Sequence, residues 1–465
     1  MYLLSFAARG FILGTVLLCG SAHAMTGIVG ETTTLGKAAV PLNGPWKFRL
    51  GDNPAWADPR FDDSEWEKVE LSPPPGAHDD DVGLSGYVPG WGARGHAGQS
   101  GYGWYRLHLR VASSTSDSLA LAGPPAADSS YQVFWNGSLL GQDGDFHKTP
   151  PKVVSIQPHL FPITQVTTSG EQAQDIVVAI RVWMAPWDLG DAQGGGMRIA
   201  PTLGTASGIK GVYTSQWIET LRGYVVEVIE ACGFAFFCFS VWLLGRIEHT
   251  TRYNWLCAAL LLTGGYRLNQ AVFAWTQFES VPIFEIVSLG LLYPLSLSAW
   301  TVGWSRLLNI RNVYWARAFT VVTILYLGLS LTQHWYAGSM PLLRSSTTLH
   351  IAVTSVRLFY LVSTCWLLYL LIRSKCRSSA LLCVLVVLAS VGQFAPELSA
   401  IGVPGIWFPF DTGVSRAQFA YALFFICAAV ALWGEFLHIA ERKATRIESL
   451  DGGDAVAIPM KGRAL

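Results

Sequence analysis

Two groups of residues in this 465-residue chain have types and spacings suited to chemistry. The first lies in a glycine-rich stretch from Pro73 to Gly103 and comprises His78, the run Asp79-Asp80-Asp81, Trp91 and His96. Trp187 stands in a comparable place, after a strand-like run. An aromatic face stacks on a sugar ring while imidazole and carboxylate groups meet hydroxyls, so this combination suits a carbohydrate or another small polar ligand. Clustered carboxylate oxygens also suit calcium. Adjacent aspartates are more often solvated surface, and no metal is expected.

The second group is charged or amide side chains set inside apolar runs: Glu227, Glu230, Arg267, Glu285, Arg357, Gln393 and Glu397. A charge in hydrocarbon costs on the order of 2–3 kcal/mol by insertion scales, so these residues should face one another. Glu227 and Glu230, three apart, share a helix face, as do Gln393 and Glu397 at four apart. The cluster reads either as a polar pocket or as interhelical packing.

Catalytic motifs are missing from the sequence. There is no His-Glu-x-x-His, no phosphate-cradling glycine loop with lysine and no Gly-x-Ser-x-Gly. Gly194-Gly195-Gly196 precedes Met197 and reads as a turn. A binding protein without a cofactor is therefore expected, not an enzyme.

These groups need elements to position them. Hydrophobic residues make up 51% of the chain and charged residues 14%, with a formal net charge of zero, so nothing points to nucleic acid. Residues 1–24 have the form of an export signal: Arg9, an apolar run to Leu18, and Ala22-His23-Ala24. Residues 25–231 contain no cysteine, so that region must fold on its core alone. Seven apolar runs follow, near 224–244, 253–275, 282–304, 318–336, 349–372, 379–402 and 418–438. Each approaches the ~20 residues that a helix needs to span a bilayer. Lys and Arg concentrate in alternate connections (Arg246, Arg252, Arg306, Arg311, Lys375 and Arg442 among them), which places the N-terminal domain outside and residues 439–465 in the cytoplasm. No lysine lies within a run, which excludes a retinal Schiff base.

The region before the helices is β-rich. Tyr105–Val111, Tyr131–Trp135 and Ile176–Trp183 alternate apolar and polar residues between Gly, Pro and Asp clusters. Asn136-Gly137 fits a two-residue hairpin turn. The expected fold class is an all-β jelly-roll ectodomain, residues 25–215, followed by a seven-helix transmembrane bundle, residues 216–438.

Leu42-Asn43-Gly44-Pro45-Trp46-Lys47-Phe48, Gly51-Asp52, Trp56-Ala57, Phe61-Asp62-Asp63-Ser64-Glu65-Trp66 and Gly103-Trp104-Tyr105-Arg106 resemble the sugar-binding domain that opens family-2 glycoside hydrolases. The resemblance implies a galactose-binding-like jelly roll, with Trp46, Trp66 and Trp104 as fold residues. It does not imply hydrolysis, whose carboxylates sit in a later domain of those enzymes. With seven helices, the whole resembles bacterial seven-transmembrane receptors with diverse intracellular signalling modules, yet no output signature follows His438. The resemblance implies an inner-membrane receptor for a carbohydrate or small ligand, surrounded by lipid, that reports to a cytoplasmic signalling partner. The alternative is a membrane-anchored carbohydrate-binding or scaffolding module without signalling.

Overall fold

The computed structural model describes residues 39–78, 84–111, 118–164, 174–186, 194–310, 313–335, 347–373, 379–407 and 414–451. The expected signal segment, Asp79, Asp80, Asp81, Trp187 and the residues after Asp451 lie outside these ranges.

The first half is a sandwich of two antiparallel sheets. One sheet has the order β1 (Ala39–Pro41), β10 (Thr202–Thr205), β5 (Leu119–Ala122), β8 (Leu160–Ile163). The other runs β3 (Glu67–Val69), β2 (Trp46–Leu50), β4 (Gly101–Val111), β9 (Gln174–Met184), β6 (Ser130–Trp135), β7 (Ser138–Asp143). Side chains alternate across a strand, and β9 shows the result. Val178, Ile180 and Val182 enter the core with Tyr131, Val133, Tyr105 and Leu107, while Ala179, Arg181 and Trp183 point the other way. The β6–β7 hairpin turns at Asn136 and Gly137, both with positive φ (50° and 88°), as the Asn-Gly pair requires.

A second apolar layer covers part of the outer face of the six-stranded sheet. Trp56, Phe61 and Trp66, from the β2–β3 connection, pack on Trp104, Phe134 and Ala179. Arg106 fastens this cover. Its fully buried guanidinium donates to Asp63 Oδ2 at 2.7 Å, to Asp58 O at 3.0 Å, to Phe61 O at 3.2 Å and to Trp56 O. His108 adds a contact to Asp63 at 2.8 Å. Burial alone pushes the Asp63 carboxyl up, but hydrogen bonds from Arg106 and His108 outweigh it and hold the pKa below the usual aspartate value. A depressed carboxylate stabilises the fold above its unfolded pKa, about 3.9, and the contribution is lost as pH falls through the folded value. Asp63→Asn should therefore flatten the fall in stability below about pH 4. Thermal unfolding against pH checks this; an unchanged slope would refute it.

The second half is helical. Its elements are α1 (Ala206–Ile247), α2 (Asn254–Trp275), α3 (Val281–Glu285), a π-helical segment (Ile286–Leu292), α4 (Tyr293–Leu307), α5 (Val313–Trp335), α6 (Thr347–Arg373), α7 (Ser379–Gln393), α8 (Ala395–Ala400) and α9 (Arg416–Asp451). A small β11–β12 pair (Ile406–Trp407 and Val414–Ser415) precedes α9. Each expected run coincides with helix, but the picture of seven uniform spans is corrected. Among the described residues four helices are long and apolar enough to cross a membrane: Ala206–Ile247, Val281–Leu307, Thr348–Arg373 and Arg416–Thr445, with mean hydropathies of 1.6–1.9. Arg267, Asn269 and Gln270 lower the hydropathy of α2. The sixth run is two helices, not one. It breaks at Phe394 (φ −106°, ψ 35°), just before Pro396, which has no N–H to continue the ladder. Helix α1 also starts at Ala206, within the stretch assigned to the exported domain, and α9 continues past His438 to Asp451.

Candidate functional site

The Pro73–Gly103 segment is packed onto the sandwich. Val88 N donates to Arg198 O at 2.8 Å, Trp91 N to Gly195 O at 2.9 Å and Gly92 N to Gly194 O at 2.9 Å. These bonds seat the Trp91 indole in the core, 1% exposed, stacked on Phe48 at 5.7 Å, with Nε1 donating to Gln99 O. Gly195 must be glycine: its φ is +102°, and a Cβ there would lie 2.3 Å from the Trp91 ring. Trp91 therefore offers no free ring to a ligand, because a ring locked under two glycine backbones belongs to the fold. His96 pairs with Glu67 at 2.9 Å and meets the Phe48 ring edge, 5.7 Å away. His78 is exposed and bridges to Ser85. The loop thus joins Trp91 and His96 through Phe48. Trp91→Phe should lower stability by about 1–3 kcal/mol through lost packing. Denaturant unfolding would show this, and an unchanged midpoint would return Trp91 to the candidates.

The charged residues of the helical half converge more fully. Arg267 on α2 meets Glu227 at 2.9 Å and Glu230 at 3.0 Å on α1, and lies over the Tyr421 ring of α9 at 4.9 Å. Gln418 donates to Glu227 at 3.3 Å. One cation thus faces two carboxylates in a buried site. Arg357 on α6 meets Glu397 on α8 through two hydrogen bonds of 2.5 and 2.6 Å, and lies over Tyr293 at 5.0 Å. Glu285 approaches His334 of α5 at 3.5 Å.

Gln393 does not join Glu397. The break at Phe394 rotates the two apart; the Gln393 carbonyl accepts from the Tyr293 hydroxyl, while its buried side-chain nitrogen has no partner among the described residues. Sequence reasoning missed His334, Tyr293, Tyr421 and Gln418. The available signal was the same as for the charges, polar atoms inside apolar runs.

A third feature joins the two halves. Strand β10 passes directly into α1, whose first turn is capped by Thr205 Oγ1 accepting from Gly208 N. The α2–α3 turn rises against the sandwich: Val154 bridges Ser280, Val281 N donates to Val153 O at 3.1 Å, and Gln277 donates to Asp143 Oδ2 at 3.4 Å. Asp143 is buried and also accepts from Gln157 N and holds His159 at 2.8 Å.

No protein-family model matches the sequence, and no curated protein matches it. Solved structures do match its β-rich region. One is β-glucuronidase 2 of Bacteroides uniformis covalently bound to cyclophellitol-6-carboxylate aziridine, 23% identical, with 36% of this chain matched to 17% of that one at a TM-score of 0.26. A family-2 glycosyl hydrolase of Bacteroides cellulosilyticus is 17% identical over 36% of this chain and 20% of that one, TM-score 0.23. Bifidobacterium dentium β-glucuronidase complexed with coumarin-3-O-glucuronide is 16% identical over 39% and 32%, TM-score 0.24. The chain spans about a third or less of each of these proteins. Its helical half has no counterpart in the matched region.

Proposed function

We propose that this chain is a membrane receptor whose β-sandwich binds a carbohydrate or other small ligand outside the cell. Its helices carry the event to a cytoplasmic partner. The observation that supports this reading is the double attachment of sandwich to bundle. A tether needs one flexible linker, whereas here β10 runs into α1 and the Val153–Val154 edge pairs with Ser280–Val281. A shift of the sandwich must then move the ends of α1, α2 and α3, and those helices carry Arg267 with Glu227 and Glu230, and Glu285. Such a set of buried pairs can take more than one arrangement, which a two-state transmission element requires.

The test uses the full chain in lipid nanodiscs, screened on a printed glycan array, followed by hydrogen exchange with the best-bound glycan. The receptor reading expects altered protection in the 431–445 part of α9 on binding. Glycan binding with unchanged exchange there would favour the anchored module instead. Orientation is checked separately by fusing an enzyme active only outside the cytoplasm: it should work near Ser339 and fail near Ser374, positions outside the described residues. The reverse pattern would refute the receptor.

A further inference from the structure

The apolar cover on the outer face of the six-stranded sheet ends at Asp52, and beyond it a polar row lies across three strands. Register places Gln142 of β7 beside Gln132 of β6, Gln132 beside Arg181 of β9, and Arg181 beside Trp104 of β4. The row is linked throughout. Arg181 donates Nε and Nη2 to Asp52 at 2.8 and 2.5 Å, and Nη1 to Gln132 Oε1 at 2.9 Å. Gln132 donates to Gln142 at 2.9 Å, and Gln142 to Gly144 O at 3.2 Å. Aromatic rings flank the guanidinium, Tyr102 at 4.1 Å and Phe146 at 5.6 Å.

We infer that this row, Asp52, Tyr102, Gln132, Gln142, Phe146 and Arg181, is the ligand site of the sandwich, and that it takes a neutral saccharide. The inference rests on the receptor reading and gives it a location that the Trp91 loop does not supply. Rigid planar groups that offer donors and acceptors side by side match the adjacent hydroxyls of a pyranose, and an aromatic ring matches its C–H face. One N–H on each terminal nitrogen of Arg181 is left over by its protein contacts, Asp52 retains lone-pair capacity, and the Tyr102 hydroxyl has no protein hydrogen bond among the described residues. Both partners of the ion pair keep some exposure, 17% for Arg181 and 28% for Asp52, so a ligand can reach groups that are already held in place. The Asp52 carboxylate matches the Arg181 charge, which disfavours a uronate and leaves hydrogen bonding as the recognition chemistry.

The position also bears on transmission. Trp183 shares this face and contacts Tyr102, with ring centroids 4.6 Å apart, and it packs with Val281 of α3 on Val153 and Ala185. A sugar against Tyr102 therefore reaches the bundle through Trp183 and the Val153–Ala185 cluster on which Val281 packs.

The experiment presents the full chain in nanodiscs to an array carrying neutral and acidic glycans, for wild type, Tyr102→Leu and Arg181→Gln, with thermal unfolding of each. Tyr102→Leu removes a side chain without a hydrogen bond among the described residues and keeps the proposal testable if Arg181→Gln unfolds. Neutral-glycan binding that falls by about tenfold or more in folded Tyr102→Leu is expected, the scale of losing one aromatic–sugar contact. Neutral-glycan binding unchanged in folded variants would overturn this location and leave the receptor reading standing. Binding of acidic glycans alone would overturn the ligand class. A wild-type chain that binds no glycan would overturn the saccharide assignment itself.

Discussion

Replacing Arg267 with Met should unfold or disperse the helical half at temperatures where the wild-type chain is folded. Glu227 and Glu230 would be left buried against each other with no cation, and breaking a buried pair from one side costs about 3–5 kcal/mol. That is comparable with the whole stability of many domains. The measurement is thermal unfolding in nanodiscs, with monodispersity followed in parallel. A triple variant, Arg267→Met with Glu227→Gln and Glu230→Gln, should recover much of the loss, because no uncompensated charge remains. If the single variant is as stable as wild type, the three residues do not form the buried set described. Arg267→Lys should recover only part, since an ammonium cannot meet two carboxylates from a planar fork or lie flat on Tyr421.

The second large effect belongs to Arg106 in the sandwich. Arg106→Met keeps the stem but leaves three backbone carbonyls, of Trp56, Asp58 and Phe61, without their donor, and leaves Asp63 with His108 alone. The expected loss is about 3–5 kcal/mol, again the scale of an orphaned buried charge with its hydrogen bonds. The cover made by Trp56, Phe61 and Trp66 should loosen first, so tryptophan fluorescence ought to change before far-ultraviolet circular dichroism during denaturant unfolding. A single coincident transition at the wild-type midpoint would contradict this. Because the cover borders Asp52, the variant should also weaken any ligand held by Arg181. Arg181→Gln, by contrast, should affect binding with a smaller loss of stability, since its ion pair with Asp52 is partly exposed to solvent.

Much of this organisation is written in local pattern. A β-rich half followed by helices follows from periods of two and from long apolar runs, because each side-chain period suits one backbone. Asn136-Gly137 specifies its hairpin because few residue pairs accept two positive φ angles. Trp46, Trp66 and Trp104 are fold residues as their motifs suggest, each at most 5% exposed. The cross-helix partnership of Glu227 and Glu230 with Arg267, and of Arg357 with Glu397, follows from the cost of charge among apolar side chains, although sequence alone does not say which residue meets which.

Other features depend on distant segments and were decided only in three dimensions. A long glycine-rich loop with Trp91 reads as an open site until Gly194, Gly195 and Arg198, about a hundred residues later, close over it with three backbone hydrogen bonds. The spacing of Gln393 and Glu397 promises a shared face only on an unbroken helix, and the break at Phe394 removes it. The row from Gln142 to Arg181 is invisible in the sequence because strand order, β4-β9-β6-β7, sets which outward side chains become neighbours. Local periodicity reports which face a residue takes; only the tertiary pairing of strands and helices determines what it meets there.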